Sequence, residues 1–268
     1  AVVYRDLASG VTINLATGTT AKTGGTDTFT GIENGVGTHH NDTIIGSAGD
    51  NGLNGLEGND TITTGGGYDT IVYGYDQWNG GSQGVTVNLT TGTIAAAGAA
   101  GNVAAGTARD GWNNTDTFTD PNGIDAIIGS LDDDKIVAGN ITGLTMSGLS
   151  GNDTLTGGSA GDTVDYSHDG DFGGGDRVFV NLSIHALDYG DFTVAAGHAR
   201  DGFGDDDTLT SIEHAVGGNN DDDLIGSGET AGQGANRLEG RGGNDWLVGD
   251  SGNDTLDGGD GSDWVGYG

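Results

Sequence analysis

The chain has 268 residues with 57 Gly, 1 Pro, no Cys and a formal net charge of −32. Gly costs about 1 kcal/mol against Ala inside a helix, so a mainly helical protein is excluded, and a surface this acidic repels nucleic acid and anionic membranes. Without Cys there is neither a disulfide framework nor a thiolate metal site, no apolar run reaches the ~18 residues of a membrane span, and a single Pro is too few for a disordered linker.

The first recognisable element is GVTINLATGT from Gly10. Its alternation puts Val11, Ile13 and Leu15 on one face of a strand, and a shorter strand, DTFTGIE, starts at Asp27. Residues 37–72 then divide into four blocks of nine: GTHHNDTII, GSAGDNGLN, GLEGNDTIT and TGGGYDTIV. The sixth position of these blocks holds Asp42, Asn51, Asp60 and Asp69, and the eighth holds Ile44, Leu53, Ile62 and Ile71.

The same order returns twice. GVTVNLTTGT from Gly84 carries Val85, Val87 and Leu89; DTFTDPNGID follows from Asp116, and the frame resumes with Asp125, Asp134, a slipped block at 138–147, Asp153 and Asp162. RVFVNLSIHA from Arg177 carries Val178, Val180 and Leu182; DTLTSIE follows from Asp207, and then come Asp222, a five-residue insertion at 227–231, Asn236, Asp245, Asp254 and Asp263. The sequence therefore predicts three modules, 1–71, 72–164 and 165–268, with arrays at 37–72, 120–165 and 217–266.

Each nonad supplies a Gly-rich turn and a three-residue strand with one inward apolar side chain. Two nonads complete one coil of an all-β, parallel β-roll, so residues eighteen apart stack. Asp42 is expected beneath Asp60, Asn51 beneath Asp69, and Asp245 beneath Asp263, beside an opposite row holding Asn236 and Asp254. Carboxylates stacked ~4.8 Å apart repel by about 3 kcal/mol at an effective dielectric of 20. A divalent cation reverses that sign. The excess of Asp over Glu suits compact oxygen cages, and Ca²⁺, accepting six to eight oxygens at about 2.4 Å, fits better than Mg²⁺, which keeps its waters.

The blocks GRGGNDWLV, GDSGNDTLD and GGDGSDWVG from Gly240 are similar to the G-G-x-G-x-D-x-U-x nonapeptide of repeats-in-toxin (RTX) proteins, where U is large and apolar. That resemblance implies several Ca²⁺ ions held between successive turns by repeat carboxylates and loop carbonyls. The implied ligands are Asp42, Asp60, Asp69, Asp125, Asp134, Asp153, Asp162, Asp222, Asp245, Asp254 and Asp263, with Asn51 and Asn236 as uncharged members. It also implies export without an N-terminal signal and folding where calcium is millimolar. The aspartate runs at 132–134, 205–207 and 221–223 are read equally as added ligands or as solvated faces.

Other strings carry little chemistry. GGSAG at 157–161 has the form of a nucleophile elbow but lies inside a nonad, and the N-D-T sequons follow from the repeat. His39 and His40 are read as exposed loop residues, and Trp246 and Trp264, at outward nonad positions, as surface groups. No constellation of base, nucleophile and oxyanion donors is present, so no catalytic residue is expected. The chain opens on AVVYRD, a module's first strand without its leading Asp, and closes on SDWVGYG, which supplies one. The expected function is an extracellular, calcium-binding structural protein whose partner is another copy, head to tail, in a filament, surface layer or adhesin stalk, or neighbouring repeats of a longer chain. The alternatives are the calcium-binding tail of an exported protease, lipase or epimerase, and a carbohydrate- or ice-binding module.

Overall fold

A computed structural model describes residues 1–98, 101–159, 161–228 and 234–266. Of the insertion at 227–231, residues 229–231 lie outside the described residues, as do the last two residues of SDWVGYG. The protein is built almost entirely of short β-strands and divides into two compact units, Ala1–Ile141 and Thr142–Gly268. That division falls inside the second of the three sequence modules.

In the first unit the nonad strands alternate between two parallel ladders. One runs through Val2–Val3, Asn34–Val36, Gly52–Asn54, Thr70–Val72 and Ala126–Ile128. The other pairs Thr43–Ile45 with Thr61–Thr63, placing Ile44 opposite Ile62. The eighteen-residue period recurs in the second unit, where Arg237 pairs with Thr255 and Trp246 with Trp264.

A strand such as Thr61-Ile62-Thr63 sends one side chain inward, because successive Cβ atoms point to opposite faces. Ile44, Leu53, Ile62, Ile71, Ile127, Ile136, Leu155, Val164, Leu238 and Leu247 are all at most 1 % exposed, so the apolar column forms the core up to its last two members, Leu256, which is half-buried, and Val265, which is exposed. The Thr residues that flank Ile62 stay half-buried on the outer faces.

The elements between the arrays are richer than the sequence pattern indicates. Each expected pair of strands is a three-stranded antiparallel meander: Thr12–Asn14, Thr19–Lys22 and Gly25–Thr28; Thr86–Asn88, Thr107–Arg109 and Thr115–Phe118; Phe179–Asn181, His198–Arg200 and Asp206–Thr210. The middle strands TTAK, TAR and HAR escape notice because their inward residues are only Thr20, Ala108 and Ala199. Small side chains suffice there, opposite Ile13, Val87 and Val180.

The meanders also blur the module borders. Thr86–Asn88 runs parallel to Lys135–Val137 ahead of it, while Thr115–Phe118 reaches back to Thr61–Thr63 of the preceding array. Asp206–Thr210 reaches back to Thr154–Thr156 in the same way.

Candidate metal centres

Backbone donors from a residue's own turn and from the adjacent turn hold the column carboxylates, and several receive both. From its own turn, the N–H four residues earlier donates: Gly218 to Asp222 Oδ2 at 2.6 Å, with Thr38 to Asp42, Ser130 to Asp134 and Gly158 to Asp162 arranged alike. From the adjacent turn, the N–H of the preceding column residue donates: Asp42 to Asp60 Oδ1 at 2.7 Å, Asn51 to Asp69 at 2.9 Å, Asn236 to Asp254 at 3.0 Å and Asp245 to Asp263 at 3.0 Å. These four contacts are the eighteen-residue stacks.

The column also continues across the meanders. The Asp69 N–H reaches Asp125 Oδ2 at 2.8 Å, and Asp222 reaches Asp245 Oδ1 at 2.8 Å across the lengthened spacing. Three residues outside the nonad frame enter it as well, one of them Glu213, whose Oε2 accepts from the Asp162 N–H at 3.1 Å. Asp116 Oδ1 accepts from the Asp60 N–H at 3.1 Å, and Asp207 Oδ1 from the Asp153 N–H at 2.9 Å. Their D-T-F and D-T-L strings share the repeat's D-x-U core, the one sequence signal that could have placed them there.

The donor set fits a hard cation. Gly37 is wedged so that a Cβ would collide with Asp42 Oδ2 and lie 2.6 Å from the Gly55 carbonyl oxygen; at Gly240 it would collide with Asp245 Oδ2 and lie 2.7 Å from the Gly258 carbonyl. The first glycine of a nonad thus keeps open a space shared by a carboxylate and a carbonyl of the next coil. Oδ2 of Asp60, Asp69 and Asp245 is buried without a hydrogen-bond partner. An orphaned carboxylate oxygen costs free energy, and a bound cation would satisfy it. Among the described residues no three His, Asp or Glu side chains converge on one point, so an ion held here would need backbone carbonyls as well as carboxylates.

Electrostatics point the same way. Burial raises Asp42, Asp60, Asp69 and Asp245 above the ordinary carboxylate range and pushes Asp222 up to about 7, and neighbouring carboxylates reinforce it at all of these but Asp42. Desolvation dominates in each case, with hydrogen bonds from backbone N–H groups opposing it.

The aspartate runs separate into different roles. Asp207 joins the column, Asp205 accepts from the Gly151 N–H at 3.0 Å, and Asp223 pairs with Arg177. Asp132 accepts from Gln77 at 2.8 Å, and Asp221 from the Asn244 N–H at 2.7 Å. In GGSAG, of which residue 160 lies outside the described residues, the Gly158 N–H donates to the column residue Asp162. Trp246 and Trp264 are 55 % and 72 % exposed, facing outward as the frame predicts.

The family of the RTX calcium-binding nonapeptide repeat (4 copies) matches residues 36–71, 145–172 and 230–265. Those segments contain every sequence-predicted site residue except Asp125, Asp134 and Asp222. No curated protein matches the chain. No helix among the described residues is long and apolar enough to cross a membrane. The chain carries RTX calcium-binding nonapeptide repeats, a structural rather than a catalytic element, and is a calcium-binding repeat protein.

Proposed function

We propose that this is an extracellular structural protein whose β-roll forms on binding several Ca²⁺ ions and which associates head to tail, with further copies or with neighbouring repeats of a longer chain. The carrying observation is the cradle of carboxylate and next-coil carbonyl that recurs at Gly37 and Gly240. The carboxylates of Asp42, Asp60, Asp69, Asp125, Asp134, Asp153, Asp162, Asp222, Asp245, Asp254 and Asp263, with the amides of Asn51 and Asn236, would hold the ions. Calcium supplies positive charge between carboxylates that otherwise repel, at the 10⁻⁴–10⁻³ M typical of extracellular modules. Association is supported by apolar side chains exposed on the outermost strands among the described residues, Val3 at 51 % and Val265 at 46 %.

Calcium titration followed by circular dichroism, light scattering and electron microscopy tests both parts. A gain of β-signal with growth of particles is expected. No gain of β-signal sinks the calcium-folding reading, and a β-rich monomer at millimolar calcium sinks the association.

A second reading has one observation in its favour. A groove of about 520 Å³ lined by Leu187, Tyr189, Ile225, Trp246 and Val248 offers aromatic faces for sugar stacking. Glycan-array binding that is lost in Trp246→Ala would support it, and an array without hits would remove it.

A further inference from the structure

Two buried carboxylate pairs lie off the nine-residue column. Asp76 is three residues beyond the buried Tyr73, and its N–H donates to the Tyr73 carbonyl at 2.9 Å. Its Oδ2 accepts from the Gly111 N–H at 3.0 Å, which brings it beside Asp110 at the end of the meander's middle strand. Asp110 Oδ1 in turn accepts from the Trp112 and Asn114 N–H groups at 3.0 and 2.7 Å.

The second unit repeats this construction with different residues around it. The Asp169 N–H donates to the Tyr166 carbonyl at 3.1 Å, and its Oδ2 accepts from the Gly202 N–H at 2.9 Å. Asp201 Oδ1 accepts from the Phe203 and Asp205 N–H groups at 3.0 and 2.7 Å. Asp169 lies within a matched repeat segment, but the column position that follows Asp162 is residue 171.

All four carboxylates are at most 3 % exposed. Asp76 Oδ1, Asp169 Oδ1 and Asp201 Oδ2 have no hydrogen-bond partner. The charges acting most strongly on Asp76 are Asp110, Asp134 and Asp60, and those on Asp169 are Asp201, Asp165 and Asp222; all are carboxylates. Among the described residues, no positive charge is among the strongest influences on Asp76 or Asp169.

The first meander shows the alternative. Leu7 occupies the place of Asp76, with its N–H on the Tyr4 carbonyl at 3.0 Å. In strand register Lys22 occupies the place of Asp110 and Asp201, and its Nζ lies 3.1 Å from Asp27. In the first meander both carboxylates of the pair are replaced, one by leucine and the other by a lysine whose ammonium pairs with Asp27.

We infer that Asp76 with Asp110, and Asp169 with Asp201, each bind one Ca²⁺ ion, forming two sites at the meanders outside the nonapeptide arrays. The ions would supply the charge that interrupts the mutual repulsion of the pairs and would tie each meander to the loop before it. Variants at these pairs leave every array carboxylate in place, so the two sets of sites can be tested apart.

The experiment uses the full chain with Ca²⁺ alone, measuring bound calcium by equilibrium dialysis, and then with Tb³⁺, excited through tryptophan. Asp76→Asn with Asp110→Asn should lose one ion per chain, as should Asp169→Asn with Asp201→Asn. Because Trp112 adjoins Asp110 and the second pair has Phe203 there, the first variant should lose more Tb³⁺ emission than the second. A second variant, Asp76→Leu with Asp110→Lys, copies the first meander and should fold in calcium with one ion fewer. Asp245→Asn serves as the array control. Folded pair variants that retain every ion and full emission overturn the inference, whatever the control shows.

Discussion

The Tyr73 hydroxyl donates to Asp116 Oδ2 at 3.0 Å, and Tyr166 donates to Asp207 Oδ2 at 2.8 Å. Both tyrosines are buried, and in each case the other carboxylate oxygen carries the column onward to Asp60 or Asp153. Tyr73→Phe removes the donor and leaves a buried oxygen unsatisfied, which costs about 1–3 kcal/mol. Thermal unfolding in saturating calcium should show that loss. Tyr4→Phe should cost less, because Asp27, its acceptor, is only half-buried and is also paired with Lys22.

Gly55→Ala should weaken calcium binding without a change of charge. The added methyl carbon would collide with Asp60 Oδ2 and approach its Cγ to 2.8 Å, closing the cradle. Gly66→Ala is the matched control, since nothing lies within 4 Å of its added carbon. The expected result is a calcium midpoint moved to higher concentration for Gly55→Ala and unmoved for Gly66→Ala, measured by circular dichroism. Equal midpoints would refute the cradle.

Metal-free protein should lose stability as pH rises. Burial holds Asp222 at about 7 and Asp76 and Asp169 at about 8, above their values in the unfolded chain. The folded form then binds more protons than the unfolded one between roughly pH 4 and 8. Its stability is fully present below about pH 4 and declines as these groups ionise on the way to pH 8. In chelator, the β-signal should be larger at pH 4.5 than at pH 8.5. In millimolar calcium the order should reverse, because protons then compete with the ion. A chelated sample more ordered at pH 8.5 would contradict the assignment.

The apolar column should dominate the stability of the calcium-loaded form. Ile62, 1 % exposed and opposite Ile44 and Phe118, should cost about 2–5 kcal/mol as Ile62→Ala. Thermal unfolding in saturating calcium measures it, and a change below about 1 kcal/mol would mean that bound ions, rather than side-chain packing, hold this part of the roll.

The sequence alone determined what is local and periodic. Nine-residue spacing fixes which side chain of each short strand points inward and which residue closes each turn, so the core and the stacks of Asp42 on Asp60 and Asp245 on Asp263 follow from counting. Tertiary structure decided what depends on pairing over long separations. The middle meander strands carry only Thr20, Ala108 and Ala199 inward, too little apolar signal to mark a strand, and they exist because a neighbouring strand supplies their hydrogen bonds. Asp116 enters the column from 56 residues beyond Asp60, and Asp207 from 54 beyond Asp153. No periodicity places Asp110 beside Asp76 or Lys22 in the corresponding position of the first meander. The chain folding back on its own ladders does that, and it turns a uniform count of acidic residues into a column, two buried pairs and one internally neutralised exception.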